Sequence, residues 1–447
     1  MKIDNGTYLR DKSLWMQGGI DAEGTCLTAG GNNAWRLICP IRLQPLSKIL
    51  YHVPAGMKLL ALAGQKNADA ETGDINRDYT FPLSPIKWRT KHRELCTIND
   101  TVYAMFVIMR EDESPLDFED ITVRFYAPEK DVIPAYWLPS LEKAEWKILD
   151  QRRRFGQNAV EFFYLTDVHW IDNAQRSPAI LNYITERTGE HHVVFGGDMI
   201  RRYNPNKDHG KQEVRGFYDW LSEDIKIFTT LGNHDRNYSS GNTNRALRFS
   251  EEETYELYDM KRAESFAVME NDPSHGYYDD VEHKVRMVQF YLSDSMFNMP
   301  EDSYVDGALD WVEKKIMELE EGWTVILFTH AYSRGTNPDG SYIITEKNKQ
   351  ISQRLLNIKK TARAELAFWI TGHIHDDLYD CVSDGETSLQ LISVLSDGYL
   401  YANSPTAARM VPTTDTEQAI DHVLVDLDRR EIRFTRIGAG EDRLYRY

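Results

Sequence analysis

EFFYLTDVH, residues 161–169, is the stretch that decides the fold. Its apolar run, Glu161–Thr166, reads as a buried β-strand, and it ends abruptly on Asp167 and His169. Four later segments repeat the plan: VVFGGD (193–198), IFTTLGNHD (227–235), VILFTH (325–330) and FWITGHIH (368–375). Each is a short hydrophobic strand that delivers Asp, Asn or His at its carboxyl end. Helical patterns lie between them. Ser177-Pro178 reads as an N-cap with proline at the first helical position, followed by Ile180, Leu181 and Ile184 on one face. Val214, Phe217, Tyr218 and Leu221 fall at helical spacing, as do Leu309, Val312, Ile316 and Leu319. Strands alternating with helices predict an α/β domain. In such sheets ligands gather outside the carboxyl ends of the strands, so the five polar ends can meet in one pocket.

The residue types describe what that pocket would hold. Two aspartates (Asp167, Asp198), one asparagine (Asn233) and four histidines (His169, His330, His373, His375) are available, and no cysteine is among them. Imidazole with carboxylate suits manganese, iron or zinc, whereas magnesium and calcium prefer all-oxygen shells. Seven donors are too many for one ion; two ions sharing a bridging carboxylate would use them all. Such a pair, about 3.5–4 Å apart, can activate a water and clamp a phosphoryl group. On an extended strand end alternate side chains share a face, so Asp167 and His169 are expected to reach one ion that way, and His373 and His375 to feed the pair likewise. The glycines preceding Asp198, Asn233 and His373 allow tight exits from the strands.

The ordered set D-x-H, G-D, G-N-H-D, H, G-H-x-H resembles the calcineurin-like metallophosphoesterase family, over residues 161–438. The resemblance implies a four-layer-type β-sandwich flanked by helices. It implies that Asp167, His169, Asp198 and His375 hold a first metal and Asp198, Asn233, His330 and His373 a second, with Asp198 bridging. The ions would be divalent or trivalent, with Mn, Fe and Zn the candidates. His234 would be the catalytic histidine, assisting the phosphoryl oxygen or the leaving group, and Asp235 would orient it, while a metal-bridging hydroxide attacks phosphorus. The substrate would be a small phosphodiester or phosphomonoester. Purple acid phosphatases, which share the scaffold, place a metal-binding tyrosine three residues after the G-D aspartate; here that residue is Arg201. The pattern is closer to the cyclic-nucleotide-phosphodiesterase-like and general hydrolase branches. Trp170, Tyr203 and Tyr238 follow the motifs on loops that should rim the substrate site.

Outward from this domain, the chain of 447 residues predicts two or three domains at about 150 residues each. Residues 1–130 carry short β-rich runs between Gly, Asn and Asp turns and read as an all-β sandwich domain; 131–158 reads as a helical connector and 159–447 as the α/β domain. The connector helix is expected to start at Ser140, with Arg152–Arg154 as a solvated C-terminal turn. The first domain loosely resembles β-sandwich modules of phage tails and bacterial surface proteins, which implies carbohydrate as a partner; an accessory or oligomerisation role stands beside that. A formal charge of −18 argues against tracking a nucleic-acid polymer, which needs clustered positive charge. Four scattered cysteines suggest neither disulfides nor a thiolate metal site. No apolar run is long enough to span a membrane, and the N-terminus MKIDNGTYLR lacks an apolar signal core, so a cytoplasmic location is expected. A non-catalytic surface or tail-like binding protein is the competing reading. Occupation of all seven donor positions and of His234 favours the enzyme.

Overall fold

The computed structural model describes residues 15–20, 27–28, 33–38, 40–43, 48–53, 55–67, 74–81, 88–90, 93–96, 102–118, 124–126, 133–134, 136–169, 176–200, 207–237, 245–270, 275–292, 302–331, 334–336, 342–344, 346–398, 410–411 and 414–447. The chain divides into two compact units, Met1–Pro134 and Ala135–Tyr447.

The first unit is strand-rich, as expected. Its strands are β1 (Trp15–Gln17), β2 (Ala34–Leu37), β3 (Ile41–Leu43), β4 (Lys48–His52), β5 (Met57–Lys66), β6 (Tyr79–Thr80), β7 (Arg93–Cys96), β8 (Val102–Arg110) and β9 (Arg124–Tyr126). One sheet runs β1-β2-β8-β5-β6 with β3 also on β8; a second runs β7-β4-β9. Every described pairing in them is antiparallel. A run such as Ala104–Ile108, wholly buried, makes β8 the centre of the core with Leu59, Leu60, Leu37 and Trp15. Between β5 and β6 lies a one-turn helix, α1 (Ile75–Asp78), capped by the Asp74 carboxylate.

The second unit opens with α2 (Leu138–Phe155). It begins before Ser140: Pro139 occupies the first turn, and the Ser140 hydroxyl bonds Asp415 instead of capping the helix. Leu141, Ala144 and Ile148 form its buried face. Only part of the basic triplet is solvated. Arg153 and Arg154 pair with Asp150 on the surface, whereas Arg152 reaches Glu161 and the Thr188 carbonyl.

Two sheets form the middle of this unit. The strands of the first are β10 (Ala159–Leu165), β11 (His192–Phe195), β12 (Lys226–Thr229), β22 (Ala419–Asp426), β23 (Glu431–Gly438) and β24 (Arg443–Arg446), in the order β12-β11-β10-β22-β23-β24. The second holds β13 (Val268–Met269), β14 (Gly276–Asp280), β15 (Val285–Gln289), β16 (Thr324–Thr329), β19 (Glu365–Thr371), β20 (Leu378–Ser383) and β21 (Ser388–Ser393), in the order β13-β14-β15-β16-β19-β21-β20. A separate hairpin joins β17 (Arg334–Thr336) to β18 (Tyr342–Ile344). The central pairs β10–β11, β11–β12, β15–β16, β16–β19 and β19–β21 are parallel, so their carboxyl ends share one edge.

Period-two alternation sorts each strand between two layers. Phe162 and Tyr164 of β10 meet Ile326 and Phe328 of β16 and Ile370 of β19 between the sheets. On the far side, Val325, Leu327 and Trp369 pack under α7 (Asp302–Met317) and α8 (Glu346–Thr361), through Leu309, Val312, Ile316 and Leu355. On the other outer face Phe195 meets Phe217 of α4 (Lys207–Tyr218), with ring centroids 5.8 Å apart. Helix α3 (Ser177–Thr188) buries Ile180, Leu181 and Ile184 and ends at left-handed Gly189, but it starts one residue earlier than expected: Arg176 is the N-cap, and the Ser177 hydroxyl, inside the first turn, bonds Asp397 instead of capping the helix. Two short helices, α5 (Glu251–Leu257) and α6 (Met260–Ala263), follow β12. The result is the helix–sheet–sheet–helix layering expected of this domain. Among the described residues no helix is long and apolar enough to cross a membrane.

Candidate metal centre

The five polar strand ends meet at the shared carboxyl edge. Ligand atoms of Asp167, His169 and His375 lie within 4.8 Å of one another; so do those of Asp198, His330 and His373, and those of His169, Asp198 and His234. His375 Nε2 is 3.0 Å from Asp167 Oδ1, and His330 Nε2 is 3.1 Å from Asp198 Oδ2. His169 Nε2 and His375 Nε2 face each other at 3.2 Å. Asp167, His169, Asp198 and His330 are almost wholly buried, whereas His373, His234 and His375 are partly exposed, the last two at 24% and 16%.

The chain delivers these groups differently from the strand-alternation expectation. Strand β10 stops at Leu165, and Asp167 (φ 53°) and His169 (φ 49°) stand in the left-handed region, as do Asp198 (φ 57°), His373 (φ 67°) and His375 (φ 59°). Such a backbone costs a non-glycine residue of order 1–3 kcal/mol and persists only where surroundings over-determine it. The surroundings are hydrogen bonds between the loops. Asp167 N–H donates to the Gly197 carbonyl and His169 N–H to the Asp198 carbonyl, both at 2.9 Å. His373 N–H and the Thr166 hydroxyl donate to Asp167 Oδ2, at 2.9 and 2.8 Å, which turns Oδ1 toward the histidines. His234 N–H donates to Asp198 Oδ1 at 2.9 Å, leaving Oδ2 to face His330 and, at 3.7 Å, His234. Gly232 is required by space: a Cβ there would collide with the Asp198 carboxylate.

The imidazole orientations follow the same logic. His169 Nδ1 lies 3.2 Å from the Ile200 carbonyl and His330 Nδ1 2.8 Å from the Gly196 carbonyl. A carbonyl only accepts, so Nδ1 carries the proton and donates it in a hydrogen bond, and each ring when neutral turns an unprotonated Nε2 inward, the arrangement metal-binding histidines adopt. Asn233 Oδ1 is buried with no hydrogen-bond partner among the described residues, and Asp167 Oδ1 and His330 Nε2 face only the side chains of the cluster itself, His375 and Asp198. Leaving a buried oxygen such as Asn233 Oδ1 unsatisfied costs about 1–3 kcal/mol, and an acceptor left over beside Asp and His side chains that meet only one another fits cation binding.

Protonation behaves accordingly. Burial pushes His169 down to about 3 and His373 down to about 4, so both are neutral donors. Burial also opposes the charged form of His330, but the Asp198 and Asp167 carboxylates overcome it and hold the ring up at about 10. A cation there would displace that proton. Asp167 and Asp198 are themselves driven below the carboxylate range, against burial, by the facing histidines.

Asp235 is placed otherwise than expected. Its buried carboxylate accepts from the backbone N–H groups of Asp198 (2.8 Å), Met199 (2.7 Å) and Gly232 (2.6 Å) and from the Tyr258 hydroxyl (2.8 Å). It does not orient His234, whose buried Nδ1 has no hydrogen-bond partner among the described residues. A short residue one place after the histidine points back across its own turn, toward backbone the sequence does not reveal. Trp170, Tyr203 and Tyr238 lie outside the described residues.

Residues 161–377 match the family model of the calcineurin-like phosphoesterases. Among solved structures, a dimetal phosphatase from Danio rerio aligns at 14% identity over 64% of this chain and 98% of its own, with a TM-score of 0.45. A phosphopantetheinyl hydrolase from Mycobacterium tuberculosis aligns at 12% identity over 53% of this chain and 89% of its own, with a TM-score of 0.34. No curated protein matches the chain.

Proposed function

Residues 161–377 being a calcineurin-like phosphoesterase domain, we propose that the chain hydrolyses a small phosphomonoester or phosphodiester at a pair of metal ions. The observation that carries the reading is the cluster of His and Asp ligand atoms at the strand ends, in which the carboxylate of Asp198 takes part in two of the three groups. In this reading Asp167, His169, Asp198 and His375 hold one ion, and Asp198, Asn233, His330 and His373 the other. Asp198 would be shared by the two sets, its Oδ1 being fixed by the His234 N–H and its Oδ2 turned to His330. Bound there, the ions supply Lewis-acid charge for the phosphoryl oxygens and lower the pKa of water.

The chain's own groups do the rest. The carbonyls of Ile200 and Gly196 fix two imidazoles so that their Nε2 atoms stay aimed inward. His234, partly exposed, presents Nε2 at the rim, 3.7 Å from Asp198 Oδ2. From there it can donate a hydrogen bond to a phosphoryl oxygen or a proton to the departing oxygen. The ions would neutralise Asp167 and Asp198 locally, so the formal charge of −18 does not repel a small anionic ester from this pocket.

The test is hydrolysis of chromogenic phosphomonoester and phosphodiester substrates by protein stripped with chelator and reloaded with Mn²⁺. Turnover of either that depends on reloading is expected. No turnover of both, with two ions shown to be bound, would sink the proposal.

A further inference from the structure

We propose that Tyr258, which belongs to none of the strand-end motifs, is a positioning residue for the metal centre and acts through Asp235. The inference rests on the two-ion reading of the site. Tyr258 caps the C-terminal end of α5 and is wholly buried. Its hydroxyl lies 2.8 Å from Asp235 Oδ1 and 2.9 Å from the Asp235 carbonyl. The same Oδ1 receives the Met199 N–H, while Oδ2 receives the N–H groups of Asp198 and Gly232. One carboxylate therefore ties the loop that carries Asp198 to the turn that carries Asn233 and His234.

Successive N–H groups around a left-handed residue form a concave nest that calls for an anion. Asp198 is such a residue, and Asp235 fills the nest made by its N–H and that of Met199. The Tyr258 hydroxyl is the only side-chain donor to that carboxylate among the described residues, and it fixes which way Oδ1 points. Tyr258 is in turn seated edge-on against Tyr218, with ring centroids 5.7 Å apart, and the Tyr218 hydroxyl lies 2.8 Å from Thr229 Oγ1 at the end of β12. The ring contact, which Tyr218→Phe keeps, seats Tyr258, while the Tyr218 hydroxyl meets Thr229 and not Asp235.

Tyr258→Phe isolates the hydroxyl, because the ring and its packing remain. Loss of a group that orients metal ligands typically costs 10–100-fold in metal affinity. Equilibrium dialysis of Mn²⁺ against the full chain should show that loss in Tyr258→Phe, and incorporation of 4-aminophenylalanine at position 258, which restores a donor, should recover it. Tyr218→Phe removes an equally buried hydroxyl that does not touch Asp235 and is expected to bind Mn²⁺ as the parent does. Should Tyr258→Phe not fold, Asp235→Asn carries the comparison: it loses an acceptor from the same carboxylate and is expected to weaken Mn²⁺ at least as much. Parent-like affinity in Tyr258→Phe, an equal loss in Tyr218→Phe, or parent-like affinity in Asp235→Asn overturns the role of Tyr258. A parent protein that takes up fewer than two ions overturns the two-ion reading as well, an outcome distinct from the variants matching a parent that takes up two.

Discussion

His234 and Asp198 are neighbours in space with different work to do. His234 Nε2 stands at the rim, while its backbone N–H holds Asp198 Oδ1. Removing the ring leaves that backbone bond in place, so His234→Ala should still bind two ions. Its kcat should fall by about 10²–10⁴-fold, the usual cost of a lost general acid. Metal analysis beside steady-state kinetics separates the two effects; loss of the ions with the ring would put His234 among the ligands instead. Gly232→Ala should do the opposite. The added methyl collides with the Asp198 carboxylate, so the variant should lose Mn²⁺ binding first and activity only as a consequence. The left-handed backbone at five of the clustered donors places this site among strained constellations held by their surroundings.

The elements of the second unit are joined by charged side chains as well as by the apolar layers. Glu161 of β10 is bound by Arg152 of α2 through both oxygens and by His422 of β22 at 2.9 Å. Arg152 also donates to the Thr188 carbonyl at the end of α3, so one cluster fastens two helices and two strands. Burial alone would raise the Glu161 carboxyl, but His422 and Arg152 bring it down to about 2 from an ordinary 4.5. The folded value lies below the unfolded one. The stabilisation is therefore fully present above pH 4.5 and is lost as pH falls toward 2. In Glu161→Gln the loss of stability of metal-free protein between about pH 6 and about pH 3 should be smaller than in the parent, read as the shift of the urea midpoint. An unchanged slope would remove Glu161 from the acid response. At the other end of the same sheet, Arg436 binds Asp421 of β22 and Asp377, two residues beyond His375, so β23 steadies the loop that carries two of the histidines.

At the scale of the whole molecule, the chain has two compact units and the clustered donors lie in one of them. A ligand that binds only the folded state stabilises it by about 2.7 kcal/mol at a hundredfold excess over its Kd. Calorimetry with and without Mn²⁺ should therefore move the transition of residues 135–447 upward and leave that of residues 1–134 where it was. Equal movement of both transitions would place metal binding in the first unit too.

The sequence by itself determined that apolar strands alternate with helices in the second unit and that five of those strands end on Asp, Asn or His. Strand periodicity and donor chemistry are local properties, and FFYLTDVH or FWITGHIH shows both within eight residues. It also marked the strand-rich character of the first unit. Three matters were decided only by tertiary structure. The ligands converge through left-handed turns rather than strand alternation, because hydrogen bonds from separate loops offset the backbone cost. Asp235 ties loops together instead of orienting His234, because its partners are backbone N–H groups that no side-chain pattern announces. Tyr258, 23 positions away in sequence, reaches that carboxylate because tertiary packing seats the end of α5 against Tyr218 of α4. For the first two the physical reason is that a backbone amide is the same at every position, so only the folded chain shows which ones an acceptor will meet; for the third it is that a contact across 23 residues is made by packing and not by local pattern.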